Sequence, residues 1–308
     1  MATAEGAEGA ETEKTPAERL FEAARDGDVA ALDALLPDAT AEQLHEEHEY
    51  VAQGTTHRVT PLFAAAYEGH EAIVRRLISA GADVELSSSI GLTPLMAAAA
   101  TNRHGCAAAL LEAGADVNHE VIRDDRFKFR VLHVAVHGWA SPEVIRLLVS
   151  RGAGVDAVSR DARGESTPLS LAFNRLHPPD VTDADTRRRY FLNRHSVAFM
   201  LLRAGADVSH LFQERLHLAT EERPHPCRAT RPLVNRLATD RHRTYVEAVH
   251  AAGGFASYAR ARQCQLRTIK LLARGHGRLN LPEAMIPTVV SYWDEPWVLS
   301  FDHNGLPV

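Results

Sequence analysis

The sequence predicts an all-α solenoid of stacked helix–turn–helix units with projecting hairpin loops, followed by a small C-terminal helical module. Three observations predict it. Thr60-Pro61-Leu62-Phe63 and Thr93-Pro94-Leu95-Met96 stand 33 residues apart. Gly81-Ala82-Asp83-Val84 and Gly114-Ala115-Asp116-Val117 keep the same 33-residue spacing. Between them Ile73, Val74, Leu77 and Ile78 form a wide apolar stripe at helical period. A fixed period of this size marks a stack of units, each burying its apolar face on the next.

The elements follow in order. Residues 1–16 are rich in Ala, Glu, Gly and Thr and read as a disordered acidic tail. They carry no basic segment ahead of an apolar one, so no signal peptide is expected. Residues 17–209 hold the repeats. Where a unit opens on Thr-Pro, as at Thr60-Pro61, Thr caps free backbone N–H groups and the following Pro, which has none, starts the first helix. Ala64, Ala65 and Ala66 allow a neighbouring helix to approach closely. Gly69-His70 breaks the first helix, and Gly81 stops the second in the left-handed conformation.

These phrases resemble the ankyrin repeat, whose unit opens near Thr-Pro-Leu-His and closes near Gly-Ala-Asp-Val-Asn. The first unit, from Leu20 to Leu36, lacks Thr-Pro and looks like an N-terminal cap. The fourth opens Arg130-Val131-Leu132-His133 and has one extra residue near Trp139-Ala140-Ser141-Pro142. The fifth runs from Thr167-Pro168 to Gly205-Ala206-Asp207-Val208 with a 17-residue insertion around 176–192. That insertion is either functional or simply tolerated. Residues 210–252 read as a decayed sixth repeat with capping helices. Residues 253–308 read as a helical module. There Leu281-Pro282-Glu283, followed by an apolar helix ending Ser291-Tyr292-Trp293, looks like the opening of an F-box, and its placement resembles a SOCS box. Such boxes recruit ubiquitin-ligase subunits; the plainer reading is a cap over the open end of the array.

Composition narrows the function. The net charge of -6 argues against a dedicated nucleic-acid binder. No apolar run approaches the length of a membrane span. Cys106, Cys227 and Cys264 have no metal-like spacing, which points to a reduced compartment, cytoplasm or nucleus. Charge is uneven: residues 1–60 hold 14 Asp or Glu against 4 Lys or Arg, and residues 210–278 hold 5 against 13. Solvated helix faces account for this; the alternative is a basic docking surface for an acidic partner.

No phosphate loop or nucleophile elbow is present, and no cofactor, metal or catalytic residue is expected. His133 and His137 have helical zinc spacing but no third ligand nearby. The resemblance gives His133 a structural role, bonding between neighbouring loops. His45 and His48 read as neighbours on a charged helix face. Cys106 aligns with Ile73 and is expected to be an inert core thiol.

What remains is a non-enzymatic scaffold, expected to be monomeric, that binds another protein. The resemblance implies that residues after the first-helix alanines face a concave groove. These are Arg25 and Asp26, Tyr67 and Glu68, Ala100 and Thr101, His137 and Gly138, Asn174 and Arg175. The loop tips add Ser87, Ser88 and Ser89, and then Arg123 to Lys128, including Arg126 and Phe127. Tyr67, Phe127 and Trp139 are the aromatic candidates for anchors, with packing under the turn the alternative for Trp139. Leu110, Asp116, Val117 and Asn118 resemble the surroundings of hydroxylated asparagines in ankyrin repeats, a pattern that also follows from the repeat itself.

Overall fold

The computed structural model describes residues 14–52, 54–124, 127–138, 140–161, 164–174, 193, 196–212, 247–258 and 260. The 176–192 insertion, most of the decayed sixth repeat and the Leu281–Trp293 phrase lie outside the described residues. The chain divides into two units, Met1–Ala98 with Gly105–Asp116, and Ala99–His104 with Val117–Val308.

In the first unit, α1 (Pro16–Asp26) and α2 (Val29–Leu35) form one antiparallel pair, followed by the short α3 (Ala41–His45). A hairpin of β1 (His48–Ala52) and β2 (Thr55–Val59) leads into α4 (Pro61–Glu68) and α5 (Glu71–Ser79). Next come α6 (Pro94–Ala100), in this unit as far as Ala98, and α7 (His104–Glu112), in it from Gly105. Thr15 caps α1 reciprocally with Glu18; the Thr60 and Thr93 hydroxyls accept from the N–H groups of Phe63 and Met96 at 3.3 Å each. These bonds satisfy donors that the first helical turn leaves open. Leu20, Leu32, Leu62, Ile73, Leu77, Leu95 and Leu110 are fully buried between the helices. Each such side chain contributes about 1.5–3 kcal/mol through loss of apolar surface to water. Cys106 is buried among them, as its alignment with Ile73 anticipates.

The second unit holds β3 (Glu120–Asp124), β4 (Phe127–Arg130), α8 (Val131–His137), α9 (Pro142–Ser150), β5 (Ser159–Asp161), β6 (Gly164–Ser166) and α10 (Pro168–Asn174). Residues 196–203 are helical, and Ser209–Phe212 form one more turn. α8 packs on α9 and on α10.

The all-α expectation is too narrow. β1 and β2 form a two-stranded antiparallel sheet, and β3-β4-β5-β6 form a four-stranded one. The loops fold back far enough to pair with themselves. Two consecutive loops then lie close enough to pair with each other, through Lys128 and Arg160. His45 and His48 are also not helix neighbours: one ends α3, the other opens β1.

The repeats end alike. Ala82, Ala115, Ala153 and Ala206 donate backbone bonds of 2.9–3.0 Å to Leu77, Leu110, Leu148 and Leu201. The glycine before each alanine has φ between 88° and 95°, the left-handed region that only glycine occupies without strain. The turn inside the third repeat uses Asn102, at φ 62°, where Gly27 and Gly69 serve the first two. Asparagine is the side-chain-bearing residue best suited to that conformation. The Asn102 side chain then accepts from Ser141 N at 2.7 Å, tying its turn to the next one.

Side chains stitch successive terminal loops. His45 Nε2 accepts from Asp83 N at 3.0 Å, and Glu85 Oε1 from Asp116 N at 2.6 Å. Asn118 accepts from Gly154 N at 2.9 Å and donates to Gly152 O at 3.0 Å, and Asp156 accepts from Asp207 N at 2.6 Å. Among the described residues no helix is long and apolar enough to cross a membrane.

Candidate partner-binding face

The expected face consists of first-helix ends. In the first unit α1 packs on α4, which sets the two ends side by side. Arg25 and Asp26 close α1, with Arg25 forking both carboxylate oxygens of Asp26 at 2.6 and 3.0 Å. This bond, reinforced by the positive charge, holds the Asp26 carboxyl below the usual range. His70, capping α5, bonds through Nε2 to Arg25 O at 3.0 Å and so fastens the end of α1.

Tyr67 and Glu68 close α4. Their surroundings come from the hairpin that sequence reasoning missed. Tyr50 on β1 is buried with Phe21, Val59 and Phe63, and Ala52, Tyr67 and Leu92 pack against the same cluster. The Tyr67 ring lies stacked on Phe63 at 6.5 Å and edge-on to Tyr50 at 5.7 Å. The Tyr50 hydroxyl donates to Glu68 Oε1. Burial first, and the Glu68 carboxylate second, push the Tyr50 hydroxyl pKa upward, so the phenol stays protonated. The missed signal was Gly54, with φ 78°, standing between Tyr50-Val51 and Thr55-Thr56. His48 lies with its ring on Phe21 at 4.7 Å, and among the described residues its buried Nε2 has no hydrogen-bond partner; burial lowers its pKa.

In the second unit Gly138 runs directly against Ala100: a Cβ there would stand 2.4 Å from Ala100 O. Only glycine permits this approach, which brings the residue after His137 against the residue before Thr101. His137 is exposed and Thr101 half-buried. Asn174 ends α10. Arg175, Arg126 and Trp139 lie outside the described residues.

The loop tips divide. Phe127 is 36% exposed on β4, and Ile122 on β3 is 64% exposed. Ser88 is no tip residue: it is buried, donates to Leu92 O at 2.8 Å and shapes the turn. Ser89 is exposed but pairs with Arg58 of β2 through two bonds of 2.9 and 3.0 Å.

His133 has both nitrogens engaged. Nδ1 accepts from Arg130 N at 3.3 Å, and Nε2 donates to Ala157 O at 2.8 Å in the next loop. Burial lowers its pKa to about 4. A neutral ring with no free lone pair holds loops together and ligates nothing. Among the described residues no group of three or more His, Cys, Asp or Glu side chains could hold a metal ion.

The family model for ankyrin repeats (3 copies) matches residues 20–121 and 91–161. No curated protein matches the chain. Between residues 20 and 161, then, the chain is similar to ankyrin repeats, modules that generally bind other proteins.

Proposed function

We propose that the chain is a non-enzymatic scaffold that holds a partner protein along the first-helix ends and loop tips. What supports the reading is the packing of α1 on α4, which brings two first-helix ends together in the first unit. Arg25 and Asp26 end α1, and Tyr67 and Glu68 end α4; in the second unit Gly138, beside His137, meets Ala100, beside Thr101. A row of unlike side chains on a repeated backbone offers recognition without a reaction centre. Asn174, Arg175, Arg126 and Phe127 extend the row and its rim in this reading, and the array continues through the fifth repeat to Val208. Proximity labelling with the full-length chain, followed by pull-down, is expected to yield a reproducible partner. Substituting Tyr67→Ala together with Phe127→Ala should abolish capture at an intact melting transition. Capture that survives the double substitution would refute the reading.

The second reading, a substrate-recognition subunit of a ubiquitin ligase, rests on the Leu281–Trp293 phrase. It requires cullin and adaptor subunits to co-purify with the full chain and to be lost on Leu281→Ala with Trp293→Ala.

A further inference from the structure

The first unit is acidic well beyond the tail. Residues 14–98 and 105–116 carry 16 Asp or Glu against 6 Lys or Arg. Most of the unit's few cations already have partners. Arg25 is taken up by Asp26, Arg58 reaches Glu47 at 3.7 Å, Arg75 binds Glu71 and Glu112, and Arg76 binds Asp33. Glu68 differs. Among the described residues its half-buried carboxylate receives one hydrogen bond, from Tyr50, and no cation. A carboxylate offers about four acceptor positions, so this one retains capacity for a forked donor. Tyr67 precedes it on α4, its ring edge-on to the same Tyr50 at 5.7 Å, and packs with Ala52 and Leu92 against the aromatic cluster.

We propose that Tyr67 and Glu68 form a seat for a basic side chain, with arginine the best fit, projecting from the partner protein. The guanidinium forks onto the Glu68 carboxylate, and its flat face or aliphatic stem lies on Tyr67. The negative charge of the surrounding unit steers a basic segment toward the seat. Lysine fits less well, since its ammonium makes no planar fork. This deepens the scaffold reading and rests on it, because it takes the helix ends to be the face that binds.

The test is selection from a random-peptide display library on the immobilised full-length chain. Enriched peptides are expected to share an arginine or lysine at one position. Their binding should weaken about tenfold with Glu68→Gln, which keeps the acceptor for Tyr50 and hence the fold. Tyr67→Ala should weaken binding as much, while Tyr67→Phe preserves it. Changing the peptide arginine to glutamine should remove the sensitivity to Glu68→Gln, a coupling that a purely structural Glu68 does not produce. Raising salt from about 0.05 to about 0.5 M should weaken the complex. Peptides that depend on Thr101 and His137 but not Glu68 would overturn the seat and leave the scaffold reading standing. Peptides indifferent to every helix-end substitution, or no enrichment at all, would overturn both. Self-association of the free chain, abolished by Glu68→Gln, would assign the seat to a second copy and overturn the proposal.

Discussion

The β1–β2 hairpin and the β3-β4-β5-β6 sheet fill the same place between repeats but are fastened differently. The hairpin is pinned by a side chain: Tyr50 plugs an aromatic cluster and hooks Glu68 at the end of α4. The sheet is fastened by backbone and imidazole. β4 pairs with β5, and the His133 ring on α8 reaches Ala157 just ahead of β5. Ion pairs from Glu120 to Lys128 and Arg130, and from Arg160 to Glu165, decorate its exposed surface. Such exposed pairs contribute little. The difference teaches that one repeat architecture tolerates two kinds of anchor, with different sensitivities. The tyrosine pin fails when apolar volume is lost, and the histidine link fails when a proton arrives.

The sharpest way to break the contrast is Tyr50→Ala. Losing a buried aromatic and its hydroxyl should cost about 3–5 kcal/mol. Hydrogen exchange should accelerate across 48–59 while 120–130 and 159–166 keep their protection; equal loss in both would mean the two anchors are not separate.

Acid tests the other side. His133 has a pKa of about 4 in the folded chain against 6.5 unperturbed. The unfolded chain therefore takes up the proton first. The stability is fully present above pH 6.5 and drains away as pH falls toward 4, by up to about 3 kcal/mol. Urea unfolding from pH 7 to pH 4 should show this slope, and His133→Gln should flatten it. A slope that persists in His133→Gln belongs to other groups and removes the contrast.

The smallest effect sharpens the comparison within the second unit. Asn118→Ala removes two exposed links, to Gly152 and Gly154, and should cost about 1 kcal/mol in thermal unfolding. A loss as large as that from Tyr50→Ala would move the weight of the fold from packing to loop stitching.

Much of this was legible in the chain. Thr60, Thr93 and Thr167 cap helices as their Pro-Leu sequels indicate, and Gly81, Gly114, Gly152 and Gly205 take the left-handed turn. Those features depend on neighbours within a few residues. The hairpin was hidden because its alternation is weak: Val51 points outward, 67% exposed, and Thr55 and Thr56 are exposed as well. Helix-like charges at Glu46, Glu47 and Glu49 masked the strand beside them. The Tyr50–Glu68 bond was out of reach because it joins residues 18 apart on different element types. Asn102 takes the left-handed turn that glycines take in the first two repeats, a place asparagine suits but the sequence does not single out. Ser88 looked like a polar tip because burial by its own turn leaves no mark on composition.

The stitching of terminal loops has a consequence for how such a chain changes length. A side chain in one loop receives the N–H of the next, across 31 residues for Glu85, 36 for Asn118 and 51 for Asp156. The bond recognises the geometry of arrival and is blind to the path travelled. New sequence introduced upstream of a Gly-Ala-Asp terminus therefore leaves the docking of that terminus intact. Repeat chains of this kind can be lengthened from within, one excursion at a time, while the frame stays in step.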